Sequence, residues 1–226
     1  MDDRVKEQFN TLSAGYDERR RLLIPHFDEF YNTGIKFLSF PGDAPRVLDI
    51  GAGTGIFAGA LLSRYPKAKL TLIDFAENMI DIAKDKFCDH IEFRYITNDY
   101  LEYDFSGEQF DIIISALSIH HLGAEQTKSF YAKIYAMLEK DGEFLNADLA
   151  NSGVPEIDKK YDEVWTDFVG GNIGRENEYF ERFIKSKSVD KPMPVTQHIS
   201  WLQNAGFDLA DCIYKYLCFA VIYGRK

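Results

Sequence analysis

Apolar residues fall three and four apart over about residues 4–38. Val5, Phe9, Leu12 and Tyr16, then Phe27, Phe30, Tyr31, Ile35 and Leu38, mark one helical face. Gly15 interrupts that face, and Pro25 predicts a break or restart. Pro41-Gly42-Asp43-Ala44-Pro45 predicts a loop. Beyond it the pattern changes to short apolar runs at 46–50, 70–73, 91–96, 110–116 and 143–148, which predict strands. Helical patterns at 56–65, 78–87 and 125–138 separate them. Ile112, Ile113 and Ile114 stand together, as in a strand covered on both faces.

Strands alternating with helices predict an α/β fold with a parallel, doubly wound sheet. The runs 207–216 and 217–224 lie too close together for a helical crossover, so they predict an antiparallel hairpin. The expected architecture is a mostly parallel seven-stranded sheet closed by a C-terminal hairpin, in a single domain spanning 1–226. Residues 1–40 form a helical cap, and 150–194 form a helical insertion. In the insertion, Ile157, Tyr161, Trp165 and Phe168 make one stripe and Tyr179, Phe180, Phe183 and Ile184 another, with Gly170-Gly171 between them. An insertion at the carboxyl end of a strand lies either as a lid over the ligand crevice or as a packed surface layer.

Composition narrows the partners. A net charge of −10 speaks against a nucleic-acid surface, and Arg19-Arg20-Arg21, the tightest basic run, reads as a solvated helix face. The aromatic share of 15% provides material for a pocket around an apolar or ring-shaped small molecule. Cys88, Cys212 and Cys218 show no metal or disulfide pattern, which fits reduced thiols and a cytoplasmic location. No apolar run approaches a membrane span, so no membrane partner is expected. The oligomeric state stays open, with a homodimer allowed.

The most specific chemistry lies in Leu48-Asp49-Ile50-Gly51-Ala52-Gly53-Thr54-Gly55. Gly51 and Gly53 let a backbone turn sharply and approach a ligand closely, beside the amino end of the next helix. A dinucleotide fingerprint would need a small residue at Ile56, where this chain has a bulky one. Asp49 would repel a pyrophosphate, whereas it suits the ammonium of an aminoacyl nucleoside.

With Asp49-x-Gly51-x-Gly53-x-Gly55, the chain resembles class I S-adenosylmethionine-dependent methyltransferases of the small-molecule type. The resemblance covers about 46–148 and implies a Rossmann-like methyltransferase fold with S-adenosyl-L-methionine as cofactor. It implies that Ala52 lines the loop and that Asp74, at the end of the second strand, accepts from the ribose hydroxyls. Phe75 and Met79 would pack near adenine, and Asn98-Asp99-Tyr100, after the third strand, would hold its amino group with the acid and stack a neighbouring side chain on the ring. Phe9-Asn10-x-x-Ser13-x-x-Tyr16-Asp17 resembles the opening of such enzymes, with Tyr16 closing over the methionine end. Capping for Asp74 and Asp99, and core packing for Tyr16, are the structural alternatives.

The methyl carbon of a sulfonium is already electrophilic, so alignment and a proton acceptor suffice. Ser115-Ala116-Leu117-Ser118-Ile119-His120-His121 follows the fourth strand, where the family has a small residue and then an aromatic or His pair. Ser115 and Ala116 are expected at the cofactor. His120 and His121 are the candidate catalytic bases, with His120 favoured, against a structural hydrogen bond. Asp148 with Asn146 and Asn151 lacks evident further acids, so no metal is assigned. Methyl transfer to O, N or C of a small-molecule acceptor is the leading function. A carboxy-S-adenosylmethionine synthase, a non-catalytic cofactor-binding protein and an RNA methyltransferase are the alternatives. An Arg aimed at the methyl position would favour the first of these, and the sequence alone does not locate one.

Overall fold

The computed structural model describes residues 15–226. Val5, Phe9, Asn10, Leu12 and Ser13 lie outside the described residues. The helical reading is met from α1 (Tyr16–Leu23), which starts on the left-handed Gly15 and stops before Pro25, and by α2 (Phe27–Phe37). The α/β alternation then runs as expected: β1 (Arg46–Ile50), α3 (Ile56–Leu62), β2 (Lys69–Asp74), α4 (Glu77–Lys86), β3 (Arg94–Thr97) and β4 (Phe110–Ala116). After a 3₁₀ turn at Ile119–His121 come α5 (Ala124–Met137) and β5 (Leu138–Leu149). The insertion holds α6 (Pro155–Ile173) and α7 (Glu178–Ser186); α8 (Val195–Ala205), β6 (Leu209–Tyr216) and β7 (Phe219–Arg225) complete the chain.

The seven strands stand in the order β3-β2-β1-β4-β5-β7-β6. β1 pairs in parallel with both β2 and β4, so the strand order reverses there and opens a crevice at their carboxyl ends. β7 runs antiparallel between β5 and β6, as the hairpin reading requires. Ile112 and Ile114 enter one apolar core with Val47, Leu70 and Leu72, while Ile113 enters the other with Leu48, Ile50 and Phe144. Alternate residues of one strand thus bury against helices on opposite faces, as the isoleucine run predicts.

Several boundaries differ from the sequence pattern: β3 begins at Arg94 because Ile91 lies exposed before it, and α3 stops at Leu62. β5 starts at Leu138 and keeps Asp141-Gly142 inside the strand, with Asp141 at φ 60° and a register shift opposite Phe110 and Ile112. Gly170 and Gly171 lie within α6, whose end falls at Gly174 with φ 88°. Gly170 instead permits close packing, since a Cβ there would sit 3.0 Å from Arg175 Cγ and 3.3 Å from the Phe180 ring. α8 had no counterpart in the strand and helix pattern; Trp201 and Leu202 bury it against the second core.

The insertion packs over α1. Trp165 Nε1 donates to Leu23 O at 2.7 Å, Asn172 Nδ2 donates to Leu22 O at 3.1 Å, and Arg19 lies over the Tyr179 ring at 4.9 Å. Among the described residues, no helix is long and apolar enough to cross a membrane.

Candidate functional site

The glycine loop leaves β1 with Gly51, Gly53 and Gly55 at φ 63°, 54° and 77°, a conformation that L side chains rarely adopt. Asp74 ends β2 and holds the loop. Its Oδ2 accepts from the Gly53 amide at 2.8 Å and its Oδ1 from the Ala76 amide at 2.8 Å. Asp74 therefore shapes the loop and also lines the crevice beyond it. Asp17 of α1 clamps the same loop from outside, accepting from Thr54 Oγ1 at 2.5 Å and from Lys86 Nζ at 2.5 Å.

The first two glycines of this turn respond differently to a side chain. A Cβ at Gly51 would fall 2.1 Å from Ser118 Oγ, whereas one at Gly53 has nothing within 4 Å and projects into the crevice. Both carry the left-handed penalty of about 1–2 kcal/mol. Thermal unfolding of Gly51→Ala should therefore come several degrees below that of Gly53→Ala. Cofactor titration should show Gly53→Ala impaired although it is the more stable variant.

Asp49 is the clearest sign of a missing ligand group. It is 1% exposed, lines the crevice, and neither carboxylate oxygen has a hydrogen-bond partner in the structure. Burial, then the neighbouring Asp74, push its pKa well above the usual range. Burial also raises Asp74 to about 6, opposed by the amides of Ala76, Gly53 and Phe75. A ligand that is cationic near Asp49 and offers hydroxyls to Asp74 removes both penalties. S-adenosylmethionine carries such groups, so the residues present fit it.

A consequence in pH follows. The folded state holds protons on these acids that the unfolded state releases at an ordinary carboxylate pKa of about 4. Unliganded stability from this source is present below about pH 4 and lost as pH rises through about 6. Calorimetric unfolding at pH 5 and 7 should show the wild type losing more stability than Asp74→Asn over that interval. Cofactor affinity should move in the opposite direction and weaken as pH falls below 6.

Of the sequence-derived cofactor residues, the structure brings Tyr16, Asp49, Gly51, Ala52, Gly53, Asp74, Phe75 and Ala116 into the crevice lining. Gly55 serves as a tight turn: a Cβ there would meet the Phe87 ring at 2.5 Å. Ser115 turns its hydroxyl to Ile50 O at 2.8 Å, away from the crevice. Met79 is buried at 1% exposure, and Asn98 is held by its backbone amide on Asp74 O at 3.0 Å. Asp99 Oδ1 accepts from the Leu101 amide at 2.9 Å, the capping alternative. Tyr100 is not presented for stacking on a ligand. It is fully buried against Phe130, with ring centroids 4.9 Å apart.

A second cavity of about 120 Å³ adjoins the crevice. Tyr16, Arg20, Leu117 and His121 line both, so they form the wall between them. Leu117 stands at φ 49°, a strained position immediately after β4. The far wall is apolar, with Trp165, Phe183 and Phe219. Arg20 corrects the reading of the basic run as a solvated face. Arg21 faces outward to Asp28 at 2.9 Å, but Arg20 turns inward, donates to the Tyr16 hydroxyl and lies 4.7 Å over its ring. The signal for this was available, because residues four apart share a helical face.

His120 and His121 come from the 3₁₀ turn after β4. His120 is deeply buried, with Nδ1 2.5 Å from Asp148 Oδ1 and Nε2 3.4 Å from Asp190 Oδ1. Burial disfavours its charge, but Asp148 and then Asp190 outweigh burial and raise its pKa to about 9. Burial and the charge of His120 lower His121 to about 3, so His121 is neutral. Both nitrogens of His120 thus face carboxylates, which is the structural role weighed against a free base. His121, in the shared wall, is the better placed of the two. Asp190 carries no sequence motif; it arrives on the insertion, where the Lys191 amide donates to His120 O at 2.8 Å.

A parallel sheet of this order, a glycine loop after β1 and an acid ending β2 define the class. Residues 47–142 match the family model described as methyltransferase domain. The matched segment has the class I methyltransferase fold, and S-adenosylmethionine is the cofactor that its site fits. Over its full length the chain is similar to a carboxy-S-adenosyl-L-methionine synthase of Nautilia profundicola. The two are 25% identical over 227 residues, covering 98% of this chain and 96% of that protein. It is also 27% identical over 166 residues to a malonyl-[acyl-carrier protein] O-methyltransferase of Bacillus cytotoxicus, covering 70% and 54%. Among solved structures, an O-methyltransferase family 2 protein of Planctomyces limnophilus, in complex with apigenin, superposes with a TM-score of 0.66 at 16% identity. That likeness is one of fold; it covers all of this chain but spans 62% of the other.

Proposed function

We propose that this chain is an S-adenosylmethionine-dependent enzyme that methylates a small, acidic, largely apolar acceptor bound in the second cavity. The observation that carries this reading is the shared wall of Tyr16, Arg20, Leu117 and His121 between the cofactor crevice and an aromatic-lined cavity. The cofactor supplies an electrophilic methyl group. Asp49 would hold its ammonium, Asp74 its ribose, and Phe75 and Ala116 the surrounding crevice. Tyr16 and Arg20 would border the methionine end. Arg20 would orient an anionic acceptor group, and the apolar wall would exclude water. His121 would contact the acceptor at the reacting atom, with His120 held by Asp148 as a positioning residue. The helices of 150–194 and α1 act as lid and cap of a single domain.

One observation favours a second reading, in which the product is a carboxylated cofactor. Arg20 lines both the crevice and the second cavity, where an arginine would meet the carboxylate of such a product. A relative similar over 98% of this chain carries that name. Cofactor labelled in its methyl group, incubated with a panel of aromatic and cyclic carboxylic acids, separates the two by mass spectrometry. Methyl transfer puts the label on the acid and leaves S-adenosylhomocysteine. Label retained on a cofactor that has gained a carboxylate selects the second reading. Intact cofactor with every acid would contradict both.

A further inference from the structure

His120, His121 and Asp190 form a cluster whose close approach the roles of the two histidines do not require, and Asp190 has no part in either reading. Their three ligand atoms lie within 4.8 Å of one another at the cavity wall. His120 Nε2 and His121 Nδ1 are 3.4 and 3.5 Å from the same oxygen, Asp190 Oδ1. These separations are long for charge-assisted hydrogen bonds, which close to about 2.7–2.9 Å. These two separations match the edge of a tetrahedral site, about 3.3–3.6 Å for metal–ligand bonds of about 2.0–2.2 Å.

A second observation concerns the carboxylate behind His120. Asp148, anchored by the amides of His120 at 3.0 Å and Leu149 at 2.8 Å, faces His120 Nδ1 at 2.5 Å. With one proton kept on Nδ1 by that carboxylate, a cation would displace the second proton from Nε2, the nitrogen that faces Asp190. A carboxylate behind a ligating imidazole is the usual outer support of a metal site. We propose that His120 Nε2, His121 Nδ1 and Asp190 form a binding site for a divalent transition cation of the zinc or cobalt type. The fourth position opens to the second cavity, where an anionic oxygen of the bound molecule would complete the coordination.

The charges close with such a ligand. Once a dication replaces the second proton of His120, Asp148 and Asp190 contribute two negative charges, Arg20, within electrostatic reach of Asp190, contributes one positive charge, and one positive charge is left over. A carboxylate, enolate or phenolate oxygen neutralises it. The site does not depend on which group is transferred, because it is read from metal uptake alone.

The test is titration of the metal-free full chain with Co²⁺ alone, followed by visible absorption, and then displacement by Zn²⁺. One Co²⁺ per chain with tetrahedral-type bands, lost on adding Zn²⁺, is expected. Asp190→Asn should weaken uptake about tenfold or more, and Asp148→Asn should weaken it by about 10–100-fold, as loss of an outer-shell partner does. Asp190 lies on a loop, and unchanged S-adenosylhomocysteine binding would show that its variant is folded. Nitrogen NMR of the histidines in the wild type provides a readout without substitution: Zn²⁺ should shift His120 Nε2 and His121 Nδ1. Absence of saturable Co²⁺ uptake, equal uptake by folded Asp190→Asn, or unshifted histidine nitrogens would each overturn the proposal.

Discussion

Replacing Asp74 with alanine is expected to weaken S-adenosylmethionine binding about tenfold or more, because a hydrogen bond to a charged acceptor contributes about 1.5–3 kcal/mol. Two effects add in this variant. The ribose hydroxyls lose their acceptor, and the Gly53 and Ala76 amides lose the carboxylate that holds the turn. Asp74→Asn separates them, since its one carbonyl oxygen can still accept while the charge is gone. Calorimetry should place Asn between wild type and Ala. Equal affinity for wild type and Ala would remove Asp74 from the cofactor site.

Replacing Arg20 with methionine is expected to lower turnover about a hundredfold, since losing a desolvated charge contact costs about 2–5 kcal/mol. Methionine keeps much of the apolar stem while deleting the guanidinium. The loss should appear with acidic acceptors, while S-adenosylhomocysteine affinity stays within about threefold, well under one decade of binding free energy. Arg21→Met is the matched control, because Arg21 meets Asp28 at the exposed surface. Equal turnover for the Arg20 and Arg21 variants would show that Arg20 holds no substrate group.

What was readable from sequence follows the distance over which the signal acts. The glycine loop, Asp49 and Asp74 sit at strand ends, where periodicity and turn chemistry place them together; the isoleucine run announced the doubly covered strand. Tyr100 was misplaced because a residue in the turn after β3 can face either side, and Phe130 on α5 decides which. Arg20 was missed because a run of three arginines hides that they point in three directions around α1. Asp190 could not be found by spacing, since it reaches the histidines only through the path of the insertion. The glycine pair in α6 was read as a break because glycine's backbone freedom is visible in sequence, whereas the Arg175 and Phe180 side chains packed against Gly170 are not.

These distinctions make the central claim geometric: one cofactor crevice, one acceptor cavity and a shared wall that carries Arg20. The crystal structure of the chain with S-adenosylhomocysteine tests it most directly. The amino group should lie on the Asp49 carboxylate, the ribose hydroxyls on Asp74, and the sulfur against the wall of Tyr16 and Arg20, facing the second cavity. A nucleoside seated away from Asp74, or a sulfur directed away from that wall, would contradict the account.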